Sequence, residues 1–305
     1  MTGSAVAQNY PAKSIRVVAP FPAGGGTDLF ARALAQKLTA VFGQQVIVDN
    51  RSGAGGMIGS DMVARAAPDG YTLLVTSSST HSIAPHLTRK PLYDPLKDFA
   101  PVIEIASAPN VLVVHPSLPV KTVKELVEYG KAKPGLANYA SSATPLQLAA
   151  ELFNQRTGSA FQHIPYRGSG DVVQALMSGQ VLMAFADSGP VAGPLKAGKL
   201  RALGITTGKR PPDFPDVPTL AEQGIGEMEI SLWTGLAAPA GTPPEIVTLL
   251  QDAIFEALDA PDVRQAMDTI SVDPRATSSK EFAEIIARDT ARWKQIATKA
   301  NIKLD

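Results

Sequence analysis

The segment Ser14–Asp49, SIRVVAPFPAGGGTDLFARALAQKLTAVFGQQVIVD, decides the fold. Ser14–Ala19 is rich in β-branched and apolar residues and predicts a buried strand. Leu29–Phe42 carries apolar residues at helical spacing and predicts an amphipathic helix, while Gln45–Asp49 predicts a second strand. A strand, a helix and a strand in this order are typical of a βαβ unit in a parallel sheet.

The alternation of strands and helices continues along most of the chain. In the same series, Met57–Ala66 predicts a helix and Thr72–Thr76 a strand. A second series alternates strands and helices over Val111–His115, Val123–Ala132, Ala137–Ala140, Leu146–Gly158, Gln162–Pro165, Asp171–Ser178, Val181–Ala186 and Leu200–Thr206. Two long helical patterns follow, Pro244–Leu258 and Ser279–Ala300, and we expect them to pack back on the first domain.

The predicted architecture is α/β with two domains, each a mainly parallel sheet flanked by helices. Domain 1 is expected to be discontinuous, 10–106 with 234–305, and domain 2 to span 107–233. Residues 1–9 are expected to be a tag or a signal-peptide remnant, because Ala5-Val6-Ala7 before Gln8 resembles the end of a secretory signal.

Composition excludes several classes of protein. Among the 305 residues, 28 lysines and arginines balance 28 aspartates and glutamates, and no basic face is evident for a nucleic acid. The chain has no cysteine, which excludes disulfides, thiolate metal sites and a cysteine nucleophile. Nowhere does the sequence reach the roughly 18 consecutive apolar residues of a membrane-spanning helix.

The loops that follow the predicted strands are the places to look for a site, because ligands of open α/β sheets bind beyond the carboxyl ends of the strands. Pro20–Asp28 has three consecutive glycines and opens into a helix, which is typical of a site for an anion. Asp28 has two interpretations: it caps the helix that it precedes, or it faces the ligand.

Hydroxyl-rich loops follow other strands. Ser141-Ser142-Ala143-Thr144-Pro145 enters a helix, with Thr144 at the predicted cap and Pro145 at the first helical position. Ser77-Ser78-Ser79-Thr80-His81 follows the third strand, and Tyr166-Arg167-Gly168 and Asp187-Ser188-Gly189 end two strands of the second domain. Amides and hydroxyls of this kind bind well but supply little chemistry, which favours a binding protein over an enzyme.

No cofactor or metal motif in the sequence has the residue spacing that such a site requires. Gly53–Gly59 follows a strand, but it reads G-x-G-x-x-x-G, and no acidic residue ends the next strand where a dinucleotide would need one. The four histidines are scattered without a companion carboxylate cluster, so we expect no metal site and no cofactor.

Several segments, taken in order, resemble the substrate-binding proteins of tripartite tricarboxylate transporters, also called the Bug receptor family. They are Tyr10-Pro11, Pro20–Asp28, Asn50–Gly56, Asp69–Leu74, Lys196–Leu203 and Ala238–Pro243. The resemblance implies a two-domain Venus flytrap in the periplasm, a partner made of a large and a small membrane subunit, and ligands that bear carboxylates. It also implies that a carboxylate is held by Ala23–Asp28 and by Ser141–Gln147, although this chain has Ala143–Leu148 where glycines and a histidine after the glutamine are common in the family.

We therefore expect a monomeric, non-catalytic receptor that binds a dicarboxylate or an aromatic carboxylate between its domains for uptake. A carboxylate sensor for a signalling partner is the alternative, and an enzyme would need a titratable pair from Asp28, His81 and Asp187. The candidate ligand-binding residues are Phe21, Ala23, Gly24, Gly25, Gly26, Thr27, Asp28, Ser77, Ser78, Ser79, His81, Ser141, Ser142, Thr144, Gln147, Tyr166 and Asp187.

Overall fold

The computed structural model describes residues 10–24, 26–269 and 272–300. The segment 1–9, predicted to be a tag or signal remnant, and the candidate Gly25 lie outside the described residues. No helix within the described ranges has the length and apolar character needed to cross a bilayer.

The elements are numbered along the chain. The strands are β1 Ile15–Ala19, β2 Val46–Asn50, β3 Thr72–Ser77, β4 Phe99–Val114, β5 Asn138–Ser141, β6 Gln162–Pro165, β7 Met183–Asp187, β8 Arg201–Ile205, β9 Ser231–Pro239 and β10 Asp273–Pro274. The α-helices are α1 Gly26–Phe42, α2 Met57–Ala64, α3 Ala84–Leu87, α4 Val123–Ala132, α5 Thr144–Thr157, α6 Ser169–Met177, α7 Ser188–Lys196, α8 Pro244–Leu258, α9 Pro261–Thr269 and α10 Ser279–Ala300. Two short helical turns precede α2 and α3, a 3₁₀ turn at Ala54–Gly56 and a π-helical turn at Ser79–Ile83.

The chain forms two compact units. One contains the residues up to Ser107 and those from Trp233 onward, and the other is Ala108–Leu232. The chain leaves the first unit within β4 and returns to it within β9, so both passages are made by extended strands. The boundaries predicted from sequence, 106/107 and 233/234, fall in these same two strands.

In the first unit, β1 lies between β2 and β3 and pairs with both in parallel, as the opening βαβ pattern predicts. Strand β9 pairs antiparallel with β3, and β10 pairs antiparallel with β4. Ile246, Leu250 and Ile254 of α8 share one apolar core with Ile15 of β1 and Leu34 of α1. The C-terminal helix α8 therefore packs on the first unit, as predicted.

In the second unit, β5 pairs in parallel with β6 and with β7. Strand β4 pairs antiparallel with β7 and with β8. The predicted α/β class is confirmed, but the sheets are mixed rather than mainly parallel, because the strands that carry the chain between units run against their neighbours.

Several predicted elements need correction. Val111–His115 is predicted as a short strand, but Val111–Val114 are the end of the 16-residue strand β4 and His115 lies beyond it. Helix α7 was not predicted, because Gly189, Pro190, Gly193 and Pro194 within it are typical of a loop. Helix α9 and strand β9 were also missed in the C-terminal third, where only two helices were predicted.

Strand β4 carries a buried acid. Glu104 is only 1% exposed, and its Oε2 atom has no hydrogen-bond partner among the described residues. Burial raises the pKa of Glu104 to about 7, with Arg275 and Arg288 acting in the opposite direction and Asp289 in the same direction. Asp289 is itself buried and accepts a hydrogen bond of 2.9 Å from Nε1 of Trp233.

Replacing Glu104 by glutamine should change how stability depends on pH. Because the folded-state pKa is about 7 and the ordinary value 4.5, folding takes up a proton, and wild-type stability should fall as the pH rises from 4.5 to above 7. Glu104→Gln should escape this loss, gaining up to about 3 kcal/mol relative to wild type by pH 8. Denaturant unfolding at pH 4.5, 6 and 8 measures the free energy of unfolding, and Glu128→Gln, at an exposed glutamate, is the control. If the free energies of wild type and Glu104→Gln change with pH in the same way, the prediction is contradicted.

Candidate functional site

The first unit collects the beginnings of three helical segments at one edge of its sheet. Helix α1 begins after β1, the 3₁₀ turn Ala54–Gly56 after β2, and the π-helical turn Ser79–Ile83 after β3. Because β2, β1 and β3 are parallel, their carboxyl ends lie at the same edge. The backbone N–H groups at these helical starts favour an anion there.

Asp28 ties the glycine-rich loop to the rest of this edge. It lies in the first turn of α1 rather than before the helix, which corrects the predicted cap position. Its side chain is buried, with Oδ2 accepting from the Gly24 backbone N at 2.9 Å and from Nε of Arg32 at 3.0 Å. Oδ1 accepts from Nδ2 of Asn50 at 2.9 Å. Asp28 thus joins the loop, its own helix and the end of β2.

Asn50 and Arg32 complete this arrangement, although the sequence analysis gave neither a role. Nδ2 of Asn50 also donates to the Phe21 carbonyl at 3.2 Å, and its Oδ1 accepts from Nη2 of Arg32 at 3.0 Å. Hydrogen bonding from Arg32, aided by Gly24 and Asn50, outweighs burial and lowers the pKa of Asp28 to about 2. The i, i+4 spacing of Asp28 and Arg32 on a helix could have predicted their ion pair from the sequence. Asn50 lies beside them only because β2 pairs with β1.

The remaining candidates of the first loop differ in exposure. Phe21 and Thr27 are partly buried, whereas Ala23 and Gly24 are exposed, and Gly26 begins α1. Phe21 packs closely on the next loop: a Cβ built at Gly56, whose φ is +93°, would lie 3.4 Å from Cζ of Phe21 and 2.7 Å from a methyl carbon of Thr80. Only glycine fits both that backbone conformation and that space.

The side chains of the serine-rich turn after β3 differ in burial. Ser77 and Ser79 are partly buried, whereas Ser78 and His81 are buried. His81 is 0% exposed, its Nδ1 lies 2.5 Å from Oγ1 of Thr76, and its ring packs 4.5 Å from that of Phe99. Burial lowers the pKa of His81 to about 3, so the imidazole is neutral at physiological pH. The structure thus places His81 in the aromatic core behind the turn.

The second unit repeats the arrangement of helix beginnings. Helices α5, α6 and α7 start directly after β5, β6 and β7, whose parallel pairing puts their carboxyl ends at one edge. Ala143 is the N-cap of α5 and makes no side-chain cap hydrogen bond, so Thr144 and Pro145 are the first and second helical residues, which corrects the predicted cap. Gln147 and Thr144 are partly buried in this first turn.

The hydroxyls of this edge are hydrogen bonded to neighbouring loops. Ser141 is 4% exposed, and its Oγ lies 2.7 Å from Nε2 of His163. Its carbonyl accepts from the Tyr166 backbone N at 2.9 Å. Oγ of Ser142 lies 3.4 Å from Oγ of Ser169, and both side chains are partly buried. His163 was missed as a partner because it stands on a strand, 22 residues from Ser141.

Asp187 ends β7 at the same edge. It is the N-cap residue of α7, yet its side chain makes no cap hydrogen bond. Instead its Oδ1 accepts from Nδ2 of the buried Asn110 at 3.3 Å. Burial raises the pKa of Asp187, and the bond from Asn110 opposes that shift. No group of three or more acidic or histidine side chains within the described residues could hold a metal ion.

Asp28→Asn should loosen the first loop. The amide cannot accept from all three donors, and its charge no longer offsets Arg32, so stability at pH 7 should fall by about 1–2 kcal/mol. Because the pKa of Asp28 is depressed to about 2 from 3.8, the difference from wild type should shrink as the pH falls from about 4 to 2.

The control is Asp61→Asn, which breaks the same i, i+4 pairing with Arg65 on the surface of α2. Thermal unfolding of both variants tests the role of Asp28. Equal, small losses in the two variants would show that Asp28 makes no more than a surface ion pair.

Comparison with known proteins places this geometry in a family. BugT of Bordetella pertussis is 40% identical over 302 residues, covering 98% of this chain and 92% of that protein. A Rhodopseudomonas palustris protein solved with adipate is 35% identical with a TM-score of 0.78, covering 96% of this chain and 99% of that one. MatC from the same organism, solved with bound malate, is 33% identical with a TM-score of 0.74, covering 94% and 99%.

The family model described as the tripartite tricarboxylate transporter family receptor matches residues 30–302. The match covers most of both units, and the resemblance seen in the sequence is therefore confirmed. The chain belongs to the family of tripartite tricarboxylate transporter receptors.

Proposed function

We propose that this receptor binds a small organic carboxylate, a dicarboxylate in the first instance, between its two domains in the periplasm. It then hands the ligand to a permease with a large and a small membrane subunit, and acts as a monomer. One observation carries the proposal: in each unit, three parallel strands end where helical segments begin, beside glycines and serines. Such edges stabilise negative charge through backbone dipoles.

The ligand class is supported by relatives. Two family structures hold adipate and malate, which are both dicarboxylates. An aromatic carboxylate would meet the same amides and hydroxyls, so the carboxylate group is the shared requirement.

The titratable groups support binding rather than catalysis. Asp28 is fully engaged by three donors, and His81 is neutral and buried. Ser141 and His163 form a serine–histidine pair that the sequence analysis did not anticipate. A serine hydroxyl beside an imidazole is also the arrangement of an activated nucleophile. Because Ser141 is only 4% exposed, we propose instead that this pair orders the loop and does not attack a substrate.

Binding without turnover is the expected outcome of a ligand screen. A matching dicarboxylate, with adipate and malate as first probes, should raise the melting temperature. At one hundred times the dissociation constant the stabilisation should be about 2.7 kcal/mol. Mass spectrometry after prolonged incubation should recover the compound unchanged, whereas a product peak that disappears in Ser141→Ala would establish an enzyme instead.

Gly24→Asp should abolish carboxylate binding and leave the fold intact. A Cβ at Gly24 meets no atom within 4 Å, and the φ of +82° is one that aspartate and asparagine tolerate better than most residues. The new carboxylate would repel the anion, whereas Gly24→Asn has nearly the same shape without the charge and should retain measurable binding.

The same pair of variants tests whether both domains hold the ligand. Small-angle scattering should show wild type and Gly24→Asn contracting when ligand is added, while Gly24→Asp stays unchanged. Tight binding to wild type without contraction would confine the ligand to one domain. Equal affinity of Gly24→Asp and wild type would remove the first loop from the site.

A further inference from the structure

Asn110 and Asp187 stand opposite each other in the second unit. They are register partners in the antiparallel pairing of β4 with β7, which puts their side chains on the same face of the sheet. Strand β5, which ends in the candidate Ser141, lies on the other side of β7. The pair therefore belongs to the edge where the hydroxyls and the helix beginnings of this unit collect.

Asn110 is held firmly in place. Its backbone N donates to Oγ1 of Thr206 at 3.0 Å, and its carbonyl accepts from the Thr206 backbone N at 3.0 Å. The hydroxyl of Thr206 in turn donates to the Ile230 carbonyl. Asn110 is 0% exposed, so its side chain is fixed by its surroundings and not by solvent.

The pair has more acceptors than donors. The hydrogen bond between the two side chains, from Nδ2 of Asn110 to Oδ1 of Asp187, is long at 3.3 Å. Oδ1 of Asn110 is buried and has no hydrogen-bond partner among the described residues. Asp187 takes part in no ion pair within the described ranges, and its carboxylate does not cap the helix that begins beside it.

An unpaired buried acceptor beside a largely desolvated carboxylate is costly unless a donor is supplied. An anchor for a ligand carboxylate needs donors, so these two side chains have the wrong polarity for that task. They suit a group that donates hydrogen bonds.

Resting on the proposed carboxylate-receptor function, we propose that Asp187, which is partly buried at the end of β7 and held by the buried Asn110, forms a subsite for a hydrogen-bond donor of the ligand. The chemical class is a dicarboxylate that carries a hydroxyl or an ammonium group, rather than an unsubstituted one. The helix beginnings hold the carboxylates, and Asp187 selects the substituent.

The test is calorimetry with two matched series, in which only the α-substituent changes. The probes are succinate, malate and aspartate, and glutarate, 2-hydroxyglutarate and glutamate. In at least one series, wild type should bind a hydroxy or amino member about 10- to 100-fold more tightly than the unsubstituted diacid. Tighter binding of the amino diacids, aspartate or glutamate, would show that the substituent pairs through its charge. Tighter binding of the hydroxy diacids, malate or 2-hydroxyglutarate, would show that it binds through a hydrogen bond without a net charge.

Asp187→Asn keeps the shape of the side chain and should reduce that preference at least tenfold while leaving the unsubstituted diacid within about threefold of wild type. Asp213→Asn, at an exposed aspartate of the same unit, is the control and should change neither affinity. The wild-type series needs no variant, so the proposal stays testable if Asp187→Asn does not fold.

Three outcomes would overturn the subsite. If unsubstituted diacids bind wild type as tightly as their substituted analogues, the subsite is excluded but the proposed carboxylate-receptor function is not affected. An equal loss of all ligands in Asp187→Asn would show that Asp187 only supports the loop. Failure of all six diacids to bind would instead overturn the dicarboxylate proposal, and the subsite with it.

Discussion

The buried carboxylate of Asp28 is the interaction on which the first half of the candidate site depends. Glycines leave much of the loop after β1 without side chains that could pack, although Phe21 packs on the next loop. Asp28 compensates by accepting from Gly24, Arg32 and Asn50 at once. An acid held ionised in this way orders three segments, and its negative charge is offset by an arginine.

The second unit orders its loops by different chemistry. There the hydroxyl of Ser141 meets His163, and that imidazole stacks on Tyr139 with ring centroids 5.1 Å apart. Hydrogen bonds between neutral groups replace the ion pair of the first unit. Both units thus fix a loop at the carboxyl ends of parallel strands with a buried polar partner, which would present amides to the proposed ligand without reorganisation.

Burial favours the neutral form of the two other titratable candidates, but their surroundings differ. His81 lies within an aromatic core, and burial lowers its pKa, so it is a neutral packing residue. Asp187 lies at the edge of its sheet, where burial raises its pKa and the hydrogen bond that its carboxylate accepts from Asn110 is long. Sequence position after a strand suggested the same role for both, and only their surroundings distinguish His81, a core group, from Asp187, which we propose as a ligand contact.

The sequence by itself determined the α/β class, the parallel pairing of β1 with β2, and the glycine and serine loops, because strand and helix periodicity and loop composition act over short distances. It also carried enough family motifs to identify the receptor family. The antiparallel pairings that make the sheets mixed could not be predicted from the sequence, since β4 pairs with β7 and β8 across some 70 to 90 residues. The partners of Asp28, the burial of His81 and the facing of Asn110 with Asp187 likewise depend on register between distant strands. Local patterns say which residues form a strand, but tertiary packing decides which side chains it opposes and which of them reach solvent.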